Sequence, residues 1–139
     1  DLIGANIEGS DMQKRIVQYA AAGNAYGLPG GYCQAWVYKV YLKATGIGKS
    51  NCCAAKCRDT WAVKTTPIPV GAAIYSGSKY HSSVTCSVCG RNCGHVGIYI
   101  GNNKVASLMG RGVKIQTLSE WNSWFGYGGW SWNGVKSAK

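Results

Sequence analysis

The sequence is poor in carboxylates, in histidine and in long apolar runs. Five Asp and Glu stand against fifteen Lys and Arg, a formal charge of +10 at pH 7. Charge of that size speaks about partners rather than fold. A surface so basic suits an anionic polymer: nucleic acid, anionic lipid, or a cell wall carrying teichoic acids. The basic residues are spread along the chain instead of blocked, so no nucleic-acid-binding motif emerges. No apolar run approaches the roughly 18 residues of a membrane-spanning helix. No charged-then-apolar leader opens the chain, the expectation if any signal peptide has been removed or was never present. Internal repeats and low-complexity tracts are missing too, which excludes a repeat architecture. With two histidines in all, His81 and His95 are the candidates for a neutral-pH base.

What is present is a chain of 139 residues with 46% hydrophobic content. That is enough for one globular domain spanning 1–139, expected to be monomeric, with a core that needs no metal to survive. Cysteine is abundant, at seven. Cys33 stands alone, while Cys52, Cys53 and Cys57 form one cluster and Cys86, Cys89 and Cys93 another. Cross-cluster disulfides fit an exported protein and leave Cys33 unpaired. Zinc on the same six thiolates is the competing use, since C-x-x-C spacing is metal-competent. Disulfides are favoured because a secreted or wall-associated location suits the charge.

Along the chain, a loop over Asp1 to Glu8 leads to Ser10-Asp11-Met12-Gln13, a capping-box pattern. Met12, Ile16, Tyr19 and Ala20 then recur at helical spacing to about Ala22. After a glycine-rich stretch, Cys33, Trp36, Val37, Val40 and Tyr41 form one apolar helix face ending near Gly46. The segment from Gly46 to Lys64 reads as a basic, cysteine-bearing loop or short helix. Strands follow at Gly71–Tyr75, His95–Ile100, Lys104–Leu108 and Val113–Thr117, with a hairpin turn at Gly101-Asn102-Asn103. A long loop fills Ser76 to Asn92, and a short helix starts near Ser119. Helices first and an antiparallel sheet after make the fold class α+β.

A thiol in the first turn of a helix is where a thiolate is easiest to form. Unsatisfied amides and the positive end of the helix dipole stabilise the anion, and those amides can also hold an oxyanion. Such a nucleophile needs a base. His81 lies in a polar loop, where a solvated histidine is the default, whereas His95 opens an apolar strand from which an imidazole can be aimed. Each feature has a plainer reading, a buried core thiol and a structural histidine. Their combination in this order carries the inference.

Gly31-Tyr32-Cys33-Gln34-Ala35-Trp36-Val37, then Pro69-Val70-Gly71-Ala72-Ala73-Ile74-Tyr75, then Gly94-His95-Val96-Gly97-Ile98-Tyr99-Ile100-Gly101-Asn102 resemble the NlpC-type and CHAP cell-wall peptidases. Gly129-Trp130-Ser131-Trp132 resembles the ends of phage-lysin and bacterial amidase catalytic domains. The resemblance implies a papain-like core with N-terminal helices on an antiparallel sheet, Cys33 as nucleophile and His95 as base. It also implies an active-site tyrosine at Tyr26 and an oxyanion amide from Cys33 or Gln34. The family position for the residue orienting the imidazole, where a His is frequent, falls on Ser107; a Cys33–His95 dyad without a third residue is the alternative. Glu120 and Asn103 are weaker choices. Ser107 shares a face with His95 if the hairpin turn has three residues and is flipped away if it has two. Tyr32 and Ala72 stand where many members carry an acidic residue. A calcium site, as in some CHAP domains, lacks donors here, because the carboxylates near Glu8 and Asp11 are too few.

The expected function is hydrolysis of an amide bond in peptidoglycan, endolysin-like and antibacterial, with no cofactor. Wall polymers would be the partners, without specific nucleic acid binding. The alternatives are a catalytically inactive, basic, disulfide-rich module that binds the wall or another polyanion, and a zinc-clustered nucleic-acid binder. A transferase using the same acyl-enzyme is a variant within the enzyme class.

Overall fold

Ser10 caps the first helix, α1 (Asp11–Ala21), and the capping box is complete. The Ser10 Oγ accepts from the Gln13 amide at 3.1 Å, and the Gln13 Oε1 accepts from the Ser10 amide at 2.7 Å. These bonds belong to a computed structural model that describes residues 10–51, 53–77, 80, 85–86 and 91–135, with only the backbone at 85, 86 and 91. The opening loop with Glu8, and Cys52, His81 and Cys89, lie outside the described residues.

The second helix, α2 (Cys33–Thr45), begins at Cys33 and ends on Gly46, whose φ of +80 is the left-handed geometry of a helix stop. A third, α3 (Ala54–Trp61), occupies the basic cysteine-bearing segment. The sheet strands are β1 (Ala73–Tyr75), β4 (Val96–Gly101), β5 (Lys104–Met109), β6 (Gly112–Thr117) and β7 (Trp130–Ser131). They form one antiparallel sheet in the order β6-β5-β4-β1-β7. Helix α4 (Leu118–Phe125) follows β6, with its own capping box between Thr117 and Glu120. The architecture is α+β.

The region expected as a loop, Ser76 to Asn92, also holds two short antiparallel strands, β2 (Thr85–Cys86) and β3 (Arg91–Asn92). The aromatic tail takes part in the sheet. Its Trp130 and Ser131 pair with β1 and complete the sheet edge.

Alternation sorts the sheet into two faces. Val96, Ile98 and Ile100 pack with Ala106 and Leu108 against Ile16 and Val17 of α1 and Trp36, Val37 and Val40 of α2. Each such large buried side chain contributes about 1.5–3 kcal/mol. On the opposite face, Ile74 and Val105 pack against Trp121 and Phe125 of α4. Tyr41 ties α2 to the approach to β1, its hydroxyl donating to the Gly71 carbonyl at 2.7 Å. Of the other tryptophans, Trp36 is buried in the core, whereas Trp124 is 53% exposed. Among the described residues, no helix is long and apolar enough to cross a membrane.

Candidate active site

The loop before Cys33 is seated on the far end of β5. The Gly31 amide donates to the Met109 carbonyl at 3.3 Å, and a Cβ on Gly30 would overlap the Gly110 carbonyl. Only glycine permits that approach. The contact sets the start of α2, where Tyr32 supplies no side-chain cap. The first-turn amides are therefore left for other partners.

One of those partners is the Cys33 sulfur. The amides of Val96, Gln34 and Cys33 itself are directed at it and favour the thiolate. Burial opposes them and prevails, pushing the thiol up to about 11. The expected easily formed thiolate is thus corrected: Cys33 is 7% exposed, and desolvation of a sulfur anion outweighs three amide dipoles. Through Val96 the Cys33 sulfur meets β4 one residue after His95.

His95 sits immediately ahead of β4, its backbone clamped by Ser76. The His95 amide donates to the Ser76 Oγ at 2.9 Å, and the Ser76 amide donates to the His95 carbonyl at 2.9 Å. The imidazole stacks on Phe125 with ring centroids 4.1 Å apart, and Trp121 lies 6.0 Å away. Burial in this aromatic setting pushes the imidazole down to about 4. At neutral pH, Cys33 and His95 are therefore an uncharged thiol and an uncharged imidazole.

Ser107 is fully buried, and its Oγ lies 3.0 Å from the His95 Nε2. The connection between β4 and β5 has a two-residue turn at Asn102 and Asn103, which alone would have turned Ser107 away. A bulge between Tyr99 and Gly101 adds the missing residue. The shifted register sets Gly97 opposite Ser107, where a Cβ would come within 3.0 Å of the Ser107 Cβ. With Nε2 engaged by Ser107, the ring nitrogen left for proton transfer is Nδ1.

The remaining candidates fall elsewhere. The Tyr26 hydroxyl donates to the Tyr19 carbonyl at 2.7 Å, and Lys43 from the last turn of α2 covers its ring. Its hydroxyl is committed to α1. The Gln34 side chain is buried and turns to Asn133, donating to Oδ1 at 3.4 Å, so only its backbone amide serves the thiol. Asn133 also accepts from the Tyr75 hydroxyl at 2.7 Å and donates to the Lys49 carbonyl at 2.8 Å, tying the segment after β7 to β1 and to the stretch that follows α2. Glu120 is occupied at the α4 cap, and the Asn103 amide donates to the Tyr99 hydroxyl. Ser76, Phe125 and Asn133 were not singled out from the sequence. Helical spacing of Trp121 and Phe125 after the Thr117–Glu120 cap was the one available signal.

The cysteine clusters do approach each other. Cys53 and Cys93 share an apolar cluster with Ala55, and the Ala55 amide donates to the Cys93 carbonyl at 2.8 Å. Cys57 is a buried thiol whose sulfur accepts from the Asn51 amide at 3.3 Å. No disulfide joins two of the described cysteines. Among the described residues, no group of three or more His, Cys, Asp or Glu is placed to hold a metal. The side chains of Cys52, Cys86 and Cys89 lie outside the described residues.

No protein-family model matches this chain, and no curated protein matches it.

Proposed function

We propose that the protein hydrolyses an amide bond of peptidoglycan, as an endopeptidase or an N-acetylmuramoyl-L-alanine amidase, from a papain-like site of Cys33, His95 and Ser107. The observation that carries this reading is the convergence at the head of β4. The Val96 amide is directed at the Cys33 sulfur while the adjacent His95 is held through Nε2 by buried Ser107.

The uncharged resting pair dictates the order of proton movements. The thiol keeps its proton until the sulfur attacks the carbonyl carbon, when the proton passes to His95 Nδ1. Ser107 accepts from Nε2–H and steadies the imidazolium that forms. The oxyanion is held by first-turn amides of α2, which no side chain caps. His95 returns the proton to the departing amine, and the C–N bond breaks to leave a thioester. Water, deprotonated by the same imidazole, then releases the acid and restores the thiol. A net charge of +10 would keep the protein on an anionic wall outside the cell.

The test is digestion of isolated Gram-positive peptidoglycan by wild type and by Cys33→Ala, with released fragments identified by mass spectrometry. Release by wild type alone supports the reading, and the fragment masses name the bond. A second reading, a wall-binding module without activity, draws on the burial that raises Cys33 to about 11. It predicts that both proteins bind walls and neither cuts them.

A further inference from the structure

Ser107 does more than face His95, because its strand carries the same face on to β6. Across β5 and β6, Ser107 stands directly opposite Lys114. Paired residues of neighbouring strands project to the same side, so Gly97, Ser107 and Lys114 form a row across three strands, on the face that carries His95 two residues before Gly97. The row ends at the surface: Lys114 is exposed, and its Nζ lies 4.7 Å over the ring of Trp124. Trp124 itself is 53% exposed and lies 6.1 Å from Phe125, the ring on which His95 stacks. His95, Phe125, Trp124, Lys114 and Ser107 thus close a circuit whose inner members are buried and whose outer two are open to solvent.

An exposed tryptophan topped by an ammonium group, two strands from a candidate base, has no role in the core. Strands lie about 4.8 Å apart and His95 is two residues, about 6.6 Å, along from Gly97, which puts Lys114 roughly 12 Å from His95 across the sheet. That span matches about three residues of extended peptide. Glu120 is near enough to feel the Lys114 charge, but its carboxylate is held by the Thr117 amide and hydroxyl, each at 3.1 Å.

On the footing of the amide-hydrolase reading, we propose that Lys114 and Trp124 form a substrate subsite that takes a carboxylate of the peptide stem, about three residues from the scissile amide. The ammonium pairs with the carboxylate, and the apolar flank of the same residue lies on the indole. The general basic charge attracts any polyanion, whereas this pair selects stems with free carboxylates over amidated ones.

The experiment compares a soluble muropeptide bearing free stem carboxylates with the same muropeptide fully amidated. Binding is measured on the Cys33→Ala protein, so that nothing is consumed. The free-acid form should bind about fivefold more tightly at low salt, the scale of one partly exposed ion pair. High salt should remove the preference. Lys114→Gln in the Cys33→Ala background should bring the free-acid form down to the affinity of the amidated one, while Trp124→Ala should weaken both forms alike. Equal binding of the two forms, or a preference that survives Lys114→Gln, overturns the subsite. Failure of wild type to release fragments from walls would instead remove the hydrolase reading, and the binding preference would still decide the subsite.

Discussion

The Nε2 atom of His95 and the Oγ atom of Ser107 lie 3.0 Å apart beside a position, Gly97, that has no side chain. Three local features combine to produce that distance. Ser76 holds the His95 backbone, Phe125 supports the ring face, and the bulge near Gly101 rotates Ser107 onto the same side of the sheet. A neutral hydroxyl in this place orients the ring without adding charge, so burial alone governs the imidazole.

Ser107→Ala should leave Nε2 buried without a partner. The expected cost is about 1–3 kcal/mol of stability, read by chemical denaturation. Digestion of peptidoglycan should slow by about 10- to 100-fold in kcat, because an imidazole free to rotate presents Nδ1 only part of the time. A variant that digests walls at the wild-type rate would remove Ser107 from the site.

Gly97→Ala should be worse than its single methyl group suggests. The new Cβ would lie 2.8 Å from the Ala106 carbonyl oxygen and 2.9 Å from the Val105 Cγ1. Strands β4 and β5 must then separate, at a cost of about 1–3 kcal/mol. The same movement lengthens the His95–Ser107 contact, so activity should fall at least as far as in Ser107→Ala. Denaturation midpoints and digestion rates measured together check both effects.

Buried Cys33 and His95 predict opposite pH limbs. An unfolded chain protonates His95 near pH 6.5, whereas the folded chain does so only near 4. Stability should therefore fall as pH drops through that window, by on the order of 3 kcal/mol in full. An unfolded chain loses the Cys33 proton near pH 9, the folded chain near 11, so stability should also fall as pH rises between them. Cys33→Ala should have a smaller alkaline limb, what remains coming from Cys57, Tyr41 and Tyr75, which burial also pushes up. Iodoacetamide should modify Cys33 slowly at pH 7 and faster as pH approaches 11, and rapid neutral-pH labelling would contradict this protonation state.

Tyr26→Phe separates a structural tyrosine from one that serves the reaction. The hydroxyl is bonded to the Tyr19 carbonyl, so its removal should cost about 1 kcal/mol in stability. Peptidoglycan digestion should proceed at the wild-type rate. A large loss of kcat with stability intact would return Tyr26 to the oxyanion site.

Much of the scaffold was legible because it is local. Ser10 and Gln13 announce α1 within one turn, the apolar face from Cys33 to Tyr41 marks α2, and alternation after Gly94 marks β4. Placement of Cys33 at a helix start and His95 at a strand start follows from such patterns alone, since helix caps and strand periods are set by neighbours in the chain.

The rest was decided by contacts between distant segments. Whether Ser107 faces His95 turns on one bulged residue, and a period-2 pattern reads the same with or without it. That the tail strand joins β1, that Phe125 supports the imidazole, and that Tyr26 turns to α1 depend on packing which no local pattern encodes. The protonation of Cys33 shows the division most clearly. The sequence places the thiol among helix amides that favour the anion, and only the tertiary structure reveals the burial that outweighs them, because desolvation sums over every segment packed around the sulfur.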